Sequence, residues 1–175
     1  RIAIEAEFTH AVCWPGLADL SDSLRQARPL GLCHFGPWAT IYEGLDALPA
    51  PIQQAWFAYD HGHSDSAFPA AISRLREAAP MRLLDVGGNT GRFALALLQA
   101  MPAITVTILD HPRMVTAARA NLEAAGMTGR SQCIGLDLLD HATPFPPGQD
   151  AVWMSQFLDC FGPADLIDLL TRARA

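Results

Sequence analysis

From Met81 onward the chain alternates short apolar runs with helical segments, and that alternation leaves few folds open. Met81 to Val86 is an apolar run that ends in Gly87-Gly88-Asn89-Thr90-Gly91. Arg92 to Met101 reads as a helix, with Phe93, Leu97 and Met101 aligned. Ile104 to Leu109 is a β-branched strand closed by Asp110. Pro112 suits the first turn of a helix that runs to Ala125 and stops at Gly126. Gln132 to Leu136 and Ala151 to Ser155 supply two more strands, and Gly162-Pro163-Ala164-Asp165 opens a last helix bearing Leu166, Leu169 and Leu170. Buried strands separated by helices predict a parallel α/β sheet of at least four strands. Such a sheet is expected to have further strands, so these residues are expected to form part of a longer polypeptide.

Residues 1–80 carry no such order, and the sequence is therefore divided into a helical segment, 1–80, and a sheet domain, 81–175. Loops are expected at Trp14-Pro15-Gly16, Arg28-Pro29-Leu30-Gly31, Phe35-Gly36-Pro37 and Leu48-Pro49-Ala50-Pro51. Asp65 or Ser66 is expected to cap a helix carrying Phe68, Ile72, Leu75 and Ala79 along one face. Half of the 175 residues are apolar and 17% are charged, enough to bury a core and too little charge for a disordered segment. All 12 basic residues are Arg, which excludes a lysine nucleophile, a Schiff-base lysine and a Walker-type phosphate loop. These arginines are scattered and the net charge is −6, so nucleic acid is not an expected partner. Four cysteines without C-x-x-C spacing point to reduced thiols and a cytoplasmic protein. The most apolar stretch, Phe93 to Leu109, is broken by Gln99, Pro102 and threonines, so no membrane span is expected.

In a doubly wound sheet a ligand lies beyond the carboxyl ends of the strands, where the Gly87–Gly91 turn is expected. Glycines let the backbone approach a ligand closely, and the following helix offers unpaired N–H groups. Asp110 ends the next strand, where a carboxylate can accept hydrogen bonds from a ribose diol. The dinucleotide pattern G-x-G-x-x-G is not met, because Asn89 and Arg92 stand where glycines are required. What remains is D-x-G-x-x-x-G, with Asp85 two residues before the first glycine. An acid there suits a cationic, amino-bearing ligand better than a diphosphate. S-adenosylmethionine carries an ammonium and a sulfonium, so the pattern points to a methyltransferase.

The stretch from Leu83 to Phe161 resembles the S-adenosylmethionine-dependent O-methyltransferases of the plant phenolic and hydroxyindole type, in a bacterial branch. The resemblance rests on Leu84 to Gly91, Leu109-Asp110-His111-Pro112, Leu136-Asp137-Leu138-Leu139 and Asp150 to Asp159 in that order. Trp38 to Leu45 and Trp56 to Ser64 resemble the helices that precede the family's cofactor domain. The resemblance implies a Rossmann-like class I methyltransferase sheet with S-adenosylmethionine as cofactor and a small hydroxylated aromatic compound as methyl acceptor. Carried over, Gly87, Gly88 and Gly91 line the methionine and ribose parts with Asp85 and Asn89, and Asp110 with His111 holds the ribose end. Asp137 and Leu138 sit by the adenine, and Ser155 closes the cofactor set. Phe57, Tyr59 and His63 are the expected acceptor residues, on the helical segment. The family has glycine at Asn89 and a catalytic His at Asp159, so Asp159 is the candidate base. The family also dimerises, through regions not recognisable in these residues.

Two other readings stay open at this point. One is a protein that binds S-adenosylmethionine without transferring its methyl group, as a regulatory or assembly subunit. The other is a metallohydrolase built on the H-x-H-x-D spacing of His61, His63 and Asp65, although Ser66 stands where those enzymes place a further His. The expected metal content is none.

Overall fold

A computed structural model describes residues 1–38 and 40–174. Ala39, within the Trp38–Leu45 stretch, and Ala175, the end of the 81–175 segment, lie outside the described residues. The chain divides into two compact units, Arg1–Ser66 and Ala67–Ala175.

In the first unit, α1 (Ile2–Phe8) passes through a π-helical turn, Thr9–Cys13, into α2 (Trp14–Gly16), a 3-10 turn at Leu17–Asp19 and α3 (Leu20–Gln26). The loop expected at Trp14-Pro15-Gly16 is thus helical. Pro15 has no N–H to offer, and the turn before it widens so that the Trp14 N–H reaches Thr9 O. Ala27, in the left-handed conformation at φ 48°, ends α3, and a 3-10 turn at Leu30–His34 follows. Leu48-Pro49-Ala50-Pro51, also expected as a loop, holds the start of α4 (Ala50–Ser64), with Pro49 as N-cap. Proline fits a first helical turn, whose N–H groups have no intrahelical partner. α4 lies against α1, where Phe8 stacks on Tyr59 at 3.9 Å and meets Trp56 at 5.8 Å.

The second unit opens with α5 (Phe68–Ala78), whose N-cap is Ala67. No side chain caps it, because Asp65 and Ser66 already belong to a 3-10 turn that continues from α4. Ala79 leaves the helical face for the left-handed conformation at φ 51°. Then come β1 (Arg82–Val86), α6 (Arg92–Ala100), β2 (Thr105–Asp110), α7 (Met114–Ala124), β3 (Ser131–Gly135), β4 (Ala151–Trp153) and α8 (Pro163–Arg174). All strand pairs are parallel, in the order β3-β2-β1-β4. The chain therefore steps outward from β1 to β3 and then returns to the other side of β1, which makes β1 and β4 the switch point. β4 is shorter than expected and leaves Ser155 beyond it.

Alternate residues of the buried strands feed two cores. Leu83, Val106 and Ile108 pack with Ile72 of α5, with Phe93, Leu97 and Leu98 of α6, and with Ala118 and Leu122 of α7. Leu84, Val86 and Leu109 pack on the other face with Leu138, Phe145, Phe157 and Leu169 of α8. The Asp150 carboxylate accepts from the Met81 and Arg82 N–H groups and pairs with the Arg82 guanidinium at 3.0 Å, which fastens β4 to the start of β1.

Candidate functional site

The turn after β1 takes its shape from three left-handed residues, Gly87 at φ 74°, Asn89 at φ 52° and Gly91 at φ 77°. Glycine is required at Gly87, since a Cβ there would stand 2.5 Å from the Phe157 ring. Asn is among the residues that tolerate this conformation, so Asn89 can hold the turn without glycine. Phe157 reaches Gly87 because β4 neighbours β1, and its ring also packs edge-on against Phe161 at 4.7 Å.

Two carboxylates lie at the turn. Asp85 is buried on β1 at 3% exposure, and its Oδ2 lies 3.0 Å from where a Gly88 Cβ would be. That oxygen has no hydrogen-bond partner. Burial, followed by the nearby Asp110 charge, pushes the Asp85 carboxyl up to about 7. Asp110, at the end of β2, is half-buried and holds the turn directly. The Asn89 N–H donates to its Oδ2 at 2.7 Å and the His111 N–H to its Oδ1 at 2.6 Å. Through these two bonds Asp110 pins the loop. His111 accepts at Nδ1 from the Arg113 N–H at 3.4 Å.

Beyond β3, Asp137 is exposed and accepts at Oδ1 from the Leu139 N–H at 3.0 Å, while Leu138 is buried. Arg172 of α8 donates to the carbonyls of Leu138, Asp140 and Thr143, and so fixes the loop that carries both residues. Ser155 is half-buried and follows β4. Asp85, Gly87, Gly88, Asn89, Gly91, Asp110, His111, Asp137, Leu138 and Ser155 thus all stand at or just beyond the carboxyl ends of the four strands. Asp159 lies in the 3-10 turn Leu158–Cys160 and is exposed.

In the first unit the three residues expected to serve the acceptor do not share a face of α4. Tyr59 and His63, one turn apart, are 4.5 Å ring to ring and face α1. The Arg1 guanidinium lies 3.3 Å from His63 Nδ1. Phe57 points elsewhere and stacks on His61 at 5.8 Å. The same helical spacing separates His61 from His63. Among the described residues the one group of three potential metal ligands is Asp19, Cys33 and His34, so His61, His63 and Asp65 assemble no metal site.

Sequence reasoning did not assign Phe157 or Arg172 to the site. Both act across long sequence separations, and although Phe157 lies within the Asp150–Asp159 stretch, nothing local there signals its contact with Gly87.

The family model for the O-methyltransferase domain matches residues 68–175. The L-tyrosine C(3)-methyltransferase of Streptomyces lavendulae is 29% identical over 167 residues, which is 95% of this chain and 45% of that protein. The demethylspheroidene O-methyltransferase of Cereibacter sphaeroides is 38% identical over 152 residues, 85% of this chain and 38% of that protein. An O-methyltransferase from neocarzinostatin biosynthesis was solved in complex with S-adenosyl-L-homocysteine and 1,4-dihydroxy-2-naphthoic acid. It superposes with a TM-score of 0.72 at 25% identity, over 93% of this chain and 48% of its own. The chain spans less than half the length of these relatives. With the family's domain matched over most of its residues and the parallel sheet in place, the chain belongs to the O-methyltransferase domain family.

Proposed function

We propose that this chain forms the cofactor-binding part of an S-adenosylmethionine-dependent methyltransferase that O-methylates a small hydroxylated aromatic compound in the cytoplasm. One observation carries the reading. A glycine turn at the switch point of the sheet is flanked by two carboxylates, Asp85 beneath it and Asp110 beside it. The buried Asp85 oxygen has no partner of its own, as befits a group that faces a cation. Bound there, the cofactor supplies a methyl group already activated by a cationic sulfur. Asp110 accepts from the ribose hydroxyls, with His111 next to it. The turn residues Gly87, Gly88, Asn89 and Gly91 present backbone to the methionine part. Asp137 and the buried Leu138 hold the adenine, and Ser155 completes the wall. An aromatic acceptor is supported by the tyrosine named for one relative and the dihydroxynaphthoic acid bound in another.

Phe57, Tyr59 and His63 belong to the acceptor side of this proposal, and Asp159 to proton removal. Alignment of the reactants supplies about 7–11 kcal/mol of the barrier reduction, and a base adds on the order of 10²–10⁴-fold. Asp159 is exposed in the turn after β4, where a bound acceptor can reach it. If Asp159→Asn retains more than about a tenth of wild-type turnover, a loss too small for a general base, Asp159 is not the base.

The deciding experiment is calorimetric titration with S-adenosylhomocysteine, followed by a screen of hydroxylated aromatic acids for methyl uptake. Asp110→Ala is expected to weaken binding about 10- to 150-fold, the equivalent of roughly 1.5–3 kcal/mol for a charged hydrogen bond. An analogue lacking both ribose hydroxyls should show little of that loss, which separates diol binding from loosening of the turn. Equal affinities for variant and wild type defeat the assignment. Binding without turnover on any acceptor leaves a cofactor-binding protein without transfer. Because one relative is named for methylation at a ring carbon, the product's methylated atom is to be identified by NMR.

A further inference from the structure

A cluster in the first unit, unconnected with methyl transfer, brings together an imidazole, a thiol and a carboxylate. His34 Nε2 lies 2.7 Å from Asp19 Oδ2, and the Cys33 sulfur, His34 ring nitrogen and Asp19 oxygen all lie within 4.8 Å of one another. Asp19 closes the 3-10 turn Leu17–Asp19, and Cys33 and His34 close the 3-10 turn Leu30–His34. The two segments meet backbone to backbone just before these residues. A Cβ on Gly31 would stand 2.7 Å from Gly16 Cα and 2.8 Å from Gly16 O, an approach that only glycine allows. The second turn is held in addition by Ser23 Oγ, which accepts from the Leu30 N–H at 3.2 Å. The three side chains therefore come from a braced junction of two segments.

We propose that Asp19, Cys33 and His34 form a binding site for a borderline-soft divalent cation, Zn²⁺ in the first instance, that clips the Leu17–Asp19 turn to the Leu30–His34 turn. The donor chemistry selects the ion. A thiolate and an imidazole disfavour Mg²⁺ and Ca²⁺, which take oxygen ligands, and favour zinc. Tetrahedral bonds of about 2.0–2.3 Å set neighbouring ligand atoms roughly 3.3–3.7 Å apart, within the span these atoms already occupy. Thiolate and carboxylate together balance the two positive charges, and the metal takes the place of the direct contact between His34 and Asp19. Binding accordingly releases the Cys33 thiol proton. Asp19 and His34 keep 34% and 41% of their side-chain surface exposed, which leaves an entry path and a fourth position for water.

The test uses the purified chain, stripped by a chelator and titrated with Co²⁺ as a spectroscopic stand-in for Zn²⁺. One equivalent is expected to produce the thiolate-to-cobalt charge-transfer band and to be displaced by Zn²⁺. Cys33→Ser should abolish the band, while serine at Cys13, Cys133 or Cys160 should leave it intact. Asp19→Asn and His34→Ala should each weaken binding by more than the roughly 10–100-fold that loss of an outer-shell partner costs. Gly31→Ala keeps every ligand yet is expected to weaken binding, because it forces the two segments apart. No band at one equivalent, or a band that survives in Cys33→Ser, overturns the site. X-ray absorption at the zinc edge of the unsubstituted protein decides the matter independently of any variant's folding, since a ligand shell without sulfur also overturns it.

Discussion

A carboxyl group buried without a partner favours its neutral form, and Asp85 lies in that condition under the glycine turn. Its pKa is raised from 3.8 to about 7, by burial first and by the Asp110 charge second. The folded protein therefore holds this proton more tightly than the unfolded chain does. Below the unfolded value the group is protonated in both states and contributes nothing. As pH rises from there to about 7 the folded state loses stability, roughly 4 kcal/mol in all. Asp85→Asn is thus expected to gain stability relative to wild type across that window, with the largest gap above it. Urea denaturation at about pH 5 and about pH 8 measures the change, and a gap that does not grow with pH refutes it. The same ionisation favours a cation, so affinity for S-adenosylmethionine relative to its uncharged-sulfur product should rise through pH 7 in wild type and stay flat in the variant. The sequence disclosed the acid two residues before the first glycine. It did not disclose that the acid is buried without a partner, because that depends on how the turn folds against it.

At the scale of elements, the strands and the turn were legible because their signals are local: β-branched runs, a glycine-rich break, an acid at a strand end. Contacts between distant segments were not. Phe157 follows β4, reads as an ordinary apolar residue, and meets Gly87 only because the fourth strand returns to the side of the first. The proline-containing turns misled for a different reason, since Pro15 and Pro51 mark helix starts as readily as loops. Arg172 of α8 is the clearest long-range contribution. Its side chain is 9% exposed, pairs with Asp168 at 2.6 Å, lies 4.7 Å over the Phe145 ring, and donates to three carbonyls of the 138–143 loop. Lysine has neither the planar fork nor the donor number to replace it. Arg172→Ala is expected to cost about 2–3 kcal/mol in denaturant unfolding and to weaken cofactor binding through the Asp137–Leu138 loop, with Arg172→Lys restoring little of either. A variant with unchanged midpoint and unchanged affinity would show that the loop needs no such fastening.

At the scale of the whole molecule, the residues proposed for the cofactor lie in Ala67–Ala175 and those proposed for the acceptor in Arg1–Ser66. The division bears on Phe57, Tyr59 and His63, which the family resemblance groups together and α4 separates. Side chains two apart on a helix point to nearly opposite sides, so Phe57 cannot share the Tyr59 and His63 face. Tyr59 stacks on Phe8 with the rings 13° from parallel, and His63 stands beside Arg1 and Glu5, 3.9 Å from the Glu5 carboxylate. Those two contacts hold α1 against α4. Tyr59→Ala removes a half-buried ring and its stacking partner, a loss of about 2 kcal/mol, near half the cost of truncating a fully buried aromatic. Phe57 makes its ring contact with His61 on α4 itself and contributes less to that packing. The three alanine variants should therefore separate. Phe57→Ala is expected to raise the acceptor KM several-fold while the melting temperature and S-adenosylhomocysteine affinity hold. Tyr59→Ala and His63→Ala are expected to lower the melting temperature, and acceptor use along with it. Thermal melts, cofactor titration and acceptor kinetics on the same three proteins distinguish the outcomes. If Tyr59→Ala melts like wild type yet loses acceptor turnover, that face of α4 serves the acceptor, and Phe8 is its companion there and no longer simply a core residue.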